Sequence, residues 1–136
     1  MKVKSATIHA YWLMFIASLL WIVAYDTIYA MVDREDDLKV GIKSTAILFG
    51  NLDRLMIGVL QTSALITLFL LGQQLDYQHA YYIGLAGCAV LFVYQQYLIR
   101  ARAPDACLLA FTNNIQVGLV LFCGTVAELT INSYSI

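Results

Sequence analysis

The chain has 136 residues, 61% of them hydrophobic and 12% charged, with a formal net charge of −1. Soluble domains run about 45–50% apolar and about 25% charged, so this composition excludes a soluble globular domain and reads as an integral membrane protein in one compact unit. Near-neutral charge leaves no basic field for nucleic acid.

Lys2 and Lys4 precede a long apolar run, which is how a secretory signal begins. Two tryptophans, no convincing small-residue cleavage site and an unbroken apolar run beyond argue against removal. The first span is expected over Ala10–Val32, and further spans over Leu55–Gly72, Ala80–Ile99 and Asn114–Ile131. Each is near the roughly 20 residues that a bilayer core needs. The expected fold is therefore an all-α polytopic helix bundle with four transmembrane helices, forming a single membrane domain over 1–136.

Asp26, Asp33 and Asp37 lie where the first span leaves its apolar stretch, and their spacing places all three on one side of a continuous helix. Carboxylates are costly beside hydrocarbon, so such a row points to chemistry. Asp33 and Asp37, one turn apart, can converge on a divalent cation, and oxygen donors of this kind suit Mg²⁺ and its phosphates. Asp26 extends the stripe towards the membrane, with Tyr29 one side chain off it. Lys39 and Lys43 can neutralise phosphate oxygens from the other side. The plainer alternative is a solvated charge cluster ending a helix, and Glu35 and Asp36 read that way. An EF-hand starting at Asp33 is excluded by Leu38 and Ser44 at its glycine and glutamate positions. Gly41-Ile42-Lys43-Ser44 ends like a phosphate-binding P-loop but has Asp36 where the upstream glycine belongs.

The 33–54 connection carries Arg34, Lys39, Lys43 and Arg54, and the third connection carries Arg100 and Arg102. The Gln73–Gln78 turn and the tail carry no Lys or Arg. The positive-inside rule then puts the acidic 33–54 loop in the cytoplasm, with Lys2 and Lys4 on the disfavoured side. Tyr81 and Tyr82 are expected as interfacial anchors. Pro104 suits the first turn of the last helix, and Asp105 suits its positive dipole end. Cys88 and Cys123 read as small buried hydrophobes, with disulfides and zinc disfavoured. Gln95, Gln96, Asn113 and Asn114 have two readings, cavity lining or hydrogen bonding between helices. Glu128 is expected to snorkel to headgroups, and His9 and His79 to be surface residues. Gly58, Gly84, Gly87, Gly118 and Gly124 are expected to let helices approach closely.

The run from Asp26 through Tyr29, Asp33, Asp37, Lys39, Gly41 and Lys43 to Thr45 closely resembles the second aspartate-rich motif of the UbiA-type intramembrane prenyltransferases. Phe92-Val-Tyr-Gln95-Gln96 and Phe111-Thr-Asn113-Asn114 resemble the same family, most closely the members acting on 4-hydroxybenzoate in bacterial ubiquinone synthesis. The resemblance implies Mg²⁺ on Asp33 and Asp37, gripping the diphosphate of a polyprenyl diphosphate. It also implies diphosphate contacts from Lys39 and Lys43, less directly from Arg34, and a cavity lined by Asp26, Tyr29, Asn113 and Asn114. The implied reaction is polyprenyl transfer to the ring of 4-hydroxybenzoate in a bacterial inner membrane. Family members carry a further motif, N-D-x-x-D-x-x-x-D, in a bundle of about nine helices; these 136 residues do not contain it. The chain is thus expected to match the C-terminal part of such an enzyme, to partner an N-terminal half, and to be inactive alone. The competing expectation is a non-catalytic membrane fragment or scaffold whose acidic loop binds cations. A transporter is disfavoured, because the acids lie at one rim and no span is broken.

Overall fold

A computed structural model describes residues 2–135, with side chains from residue 4 onward. Lys2, weighed above as a misplaced charge, has its side chain outside the described residues. Helix α1 runs over Lys2–Val32, α2 over Arg34–Val40 and α3 over Thr45–Phe49; a 3₁₀ turn (Gly50–Leu52) then leads into α4 (Asp53–Gln74). Helix α5 covers His79–Leu98, a second 3₁₀ turn covers Ile99–Ala101, and α6 covers Pro104–Tyr134. Four segments are long and apolar enough to cross a membrane: Lys4–Val32, Thr45–Gln74, His79–Ala101 and Pro104–Tyr134.

These four form an antiparallel ring in the order α1, α4, α5, α6, closed by contact between α1 and α6. The closest approach is between α5 and α6. There a Cβ on Gly84 would lie 3.0 Å from the Gly124 Cα, so the two backbones touch without side chains between them. Gly87 is similarly tight against Val120, whereas Gly58 and Gly118 make ordinary contacts. Helix α1 shows most of its surface to the outside, with Tyr11, Trp12 and Phe15 all more than half exposed. A bundle whose outer face meets hydrocarbon has no reason to hide such residues.

The 33–54 connection, expected as a loop, is instead largely helical. Ser44 caps α3 through its Oγ, which accepts the Ile47 N–H at 3.3 Å. Gly41 ends α2 with φ +75°, the left-handed geometry that glycine takes without strain. At the opposite end, Asp76 takes φ +55° and the Tyr77 N–H returns to the Gly72 carbonyl at 2.9 Å, stopping α4 abruptly. Pro104 does open α6.

Three expectations about single residues are corrected. Tyr81 is no surface anchor: it is 2% exposed, and its hydroxyl donates to the Leu68 carbonyl at 2.7 Å, inside the ring. Cys123 is exposed on α6, while Cys88 and Cys107 are buried. Glu128 does not snorkel. It is buried and accepts the Gln78 and Tyr81 N–H groups at 2.8 and 3.2 Å, capping α5 from a neighbouring helix. A free helix N-terminus packed among apolar helices has unsatisfied donors, and a carboxylate satisfies them better than water at the rim.

Candidate active site

The acidic row sits at the corner between α1 and α2. The helix does not run straight through it, as the spacing predicted. It breaks at Asp33, where φ −98° and ψ 7° separate the two helices. The chain nevertheless keeps one turn of register across the break, because the Asp37 N–H donates to the Asp33 carbonyl at 2.8 Å. Asp33 and Asp37 therefore stay one turn apart, both half-buried, while Asp26 is exposed two turns earlier on α1. Asp33 occupies the N-cap position of α2, yet its side chain makes no capping hydrogen bond. Aspartate is among the best N-caps, so an N-cap carboxylate left unused is available for an outside ligand.

Among the described residues, no three His, Cys, Asp or Glu side chains converge as a metal site. What the corner offers is two hard carboxylates. Mg²⁺ commonly takes one or two protein carboxylates and completes its octahedron with water and phosphate oxygens, so the donor set fits that ion as a partial ligand set.

The basic residues divide. Lys39 lies 3.9 Å from Asp36 in an exposed pair of little energetic weight. Lys43 is exposed beyond Gly41. Arg34 turns to the other side of the corner, with Nη1 3.4 Å from Asp53 Oδ2.

Below the corner, α1 and α6 enclose an apolar groove of about 540 Å³ lined by Ser18, Trp21, Ile22, Tyr25, Phe111 and Asn114, among others. Tyr29 continues its aromatic wall towards Asp33, with its ring 5.0 Å from that of Phe111. Asn114 is fixed in the wall by the Trp21 indole N–H, which donates to its Oδ1 at 2.9 Å. Asn113, expected beside it, turns inward, as successive helical residues must. It joins a chain of amides: Gln61 donates to Gln95 at 2.8 Å, Gln95 to Asn113 at 3.0 Å, and Asn113 to Gln116 at 2.6 Å. Gln96 joins through Gln61 at 3.3 Å. Of the two readings open for the glutamines, hydrogen bonding between helices is the observed one. Buried amides in an apolar bundle need such partners.

Two residues of this end form an ion pair that was not read from the sequence. Asp53 is wholly buried and receives Arg102 at 2.8 to 3.2 Å, Arg34 at 3.4 Å and the Arg54 N–H at 2.7 Å. Arg102, counted only as loop charge, holds φ +55°, and its hydrogen bonds to Asp53 raise its pKa further. The available signal was an acid opening a long apolar helix directly before Arg54.

Four apolar antiparallel helices with acids and cations gathered at one end define a polytopic membrane protein with a one-ended polar site. The chain belongs to the UbiA prenyltransferase family, whose model matches residues 5–123. It is 58% identical over 118 residues to a 4-hydroxybenzoate octaprenyltransferase of Edwardsiella ictaluri, covering 87% of this chain and 41% of that protein. Proteins of the same name from Marinobacter nauticus and Photobacterium profundum are 53% identical over 118 residues and 57% identical over 113. They are covered to 40% and 39% of their length, against 87% and 83% of this chain. The chain thus spans about two-fifths of the curated relatives it matches. No solved structure matches it.

Proposed function

We propose that this chain carries the metal–diphosphate half of a Mg²⁺-dependent prenyltransferase site, acting on a polyprenyl diphosphate and 4-hydroxybenzoate. The observation that carries the reading is the Asp33–Asp37 pair, one turn apart and with no side-chain partner among the described residues, on the helix end that follows the groove-lining Trp21 and Tyr25. Relatives named for this transfer support the choice of substrates.

Asp33 and Asp37 hold the metal. When bound, Mg²⁺ offsets the negative charge that builds on the departing pyrophosphate. Lys39 and Lys43 meet the diphosphate oxygens, and Arg34 acts less directly from its place on Asp53. The allylic carbon–oxygen bond breaks with its electron pair leaving on pyrophosphate. The ring carbon beside the phenol forms the new carbon–carbon bond, and the released pyrophosphate takes up the ring proton as aromaticity returns. Asp26 and Tyr29 line the space under the diphosphate, with Asn114 and the Trp21–Tyr25–Phe111 wall further down. The apolar groove accepts the prenyl tail, excludes water from the cation, and presents aromatic faces that stabilise positive charge. Six Lys and Arg residues at the end carrying the corner favour a cytoplasmic orientation in a bacterial inner membrane.

Catalysis on this reading also needs the N-D-x-x-D-x-x-x-D residues, which these 136 positions do not contain. The test is prenylation of 4-hydroxybenzoate by membranes containing this chain, with and without co-expressed helices bearing that motif. Product is expected only with both components and Mg²⁺, and is abolished by EDTA. Robust turnover by the chain alone refutes the half-site, and turnover without divalent metal refutes the metal assignment.

A further inference from the structure

Besides the packing of Met31 and Val32 into the core, the acidic corner has a polar tie to the rest of the bundle. Arg34 directly follows Asp33, and its guanidinium reaches Asp53 on the far side of the corner. Asp53 opens α4, and its carboxylate is 0% exposed. It is also held by Arg102, from the turn between α5 and α6, through three contacts at 2.8, 3.1 and 3.2 Å. Arg102 donates a further bond to the Asn51 carbonyl at 3.0 Å and sits at φ +55°, a backbone state that a residue with a Cβ adopts only when its surroundings fix it. Three separate parts of the chain thus meet on a single buried carboxylate. Asp33 itself lies at a break in the helix, where the continuous α-helical ladder no longer dictates the direction of its side chain.

We infer that Asp53, acting through Arg34, is a positioning residue for the metal-binding corner: it sets the angle between α1 and α2 and so the separation of the Asp33 and Asp37 carboxylates. This rests on the reading that those two acids hold the metal. The groups that orient metal ligands commonly alter affinity by about 10–100-fold without touching the ion. Arg34 is half-buried and can be replaced without opening the core, whereas Asp53 cannot, so Arg34 is the cleaner handle.

Charge and geometry predict opposite signs, and this separates positioning from simple electrostatics. Removing the Arg34 cation beside a metal site lessens repulsion and should tighten binding of a divalent ion. Removing the tie should loosen the corner and weaken it.

The experiment uses the full chain in lipid nanodiscs, with Mn²⁺ binding followed by loss of the free-ion electron paramagnetic resonance signal. Hydrogen exchange at the Asp37 amide, which bonds to the Asp33 carbonyl across the corner, is measured in parallel. Arg34→Met is expected to weaken Mn²⁺ binding by about tenfold and to speed exchange at the Asp37 amide, with Arg34→Lys intermediate. Asp53→Asn should reproduce the faster exchange with Arg34 intact. Unchanged or tighter Mn²⁺ binding in Arg34→Met, with unchanged exchange, overturns the inference. If Mn²⁺ binds wild type and Asp37→Ala equally, or neither, the metal reading fails instead, and the exchange arm still decides whether Asp53 holds the corner.

Discussion

The acids of this chain fall into two kinds, and the contrast between them separates what builds the bundle from what the bundle presents. Asp53 and Glu128 lie at opposite ends of the ring, at 0% and 1% exposure, and each is saturated with donors. Asp53 collects three arginines' worth of N–H groups, two from side chains and one from the Arg54 backbone. Glu128 accepts two α5 backbone N–H groups and the Asn132 amide at 3.2 Å. Asp26, Asp33 and Asp37 are exposed or half-buried and, among the described residues, have no side-chain hydrogen bond or ion pair. A buried carboxylate survives only if fully paired. One that keeps contact with solvent needs no such partner, and its oxygens stay open to a ligand.

Substitutions should therefore separate cleanly by readout. The largest effect is expected at the unpaired acids. In a complemented, active bundle, Asp33→Ala or Asp37→Ala should lower the prenylation rate by about two to three orders of magnitude, the usual scale for losing transition-state charge stabilisation. Thermal stability in detergent should move by no more than about 0.5 kcal/mol, since no protein contact is lost. A near-wild-type rate in either variant removes them from the metal site.

Next comes Asp53→Ala, which strands two arginines and leaves the Arg54 N–H unpaired. Breaking a buried pair usually costs about 3–5 kcal/mol, and the third of Arg102 still in solvent reduces the expected loss to about 2–3 kcal/mol. Denaturation of the purified chain checks it, and a loss below that of Glu128→Ala breaks the ranking. Glu128→Ala leaves two helix-end donors without an acceptor and should cost about 1–2 kcal/mol, with hydrogen exchange speeding up first at Gln78 and Tyr81. Protection unchanged at those amides would show that the cap contributes nothing.

The helices and the acidic row were legible in the sequence because both are written in local periodicity. Apolar runs set the spans, and a spacing of four set Asp33 against Asp37. Pro104 marked its helix start for the same local reason. What could not be read is what depends on distant partners. Glu128 looked like a snorkelling rim residue because its donors lie 50 and 47 positions earlier. Arg102 looked like an ordinary loop charge because its partner Asp53, which drew no reading, lies 49 positions away. Tyr81 looked like an anchor until its acceptor on α4 was seen. The break at Asp33 was also hidden, since the residues around it are all compatible with an uninterrupted helix. The partner of the residue that follows the break, Asp53, lies 19 positions beyond Arg34.

The most direct measurement is binding of a non-reactive prenyl thiolodiphosphate to the purified chain in nanodiscs, with and without Mg²⁺, in wild type and Asp37→Ala. The account predicts binding that requires the metal and is lost in the variant. Equal binding without metal, or equal binding by both proteins, would contradict it.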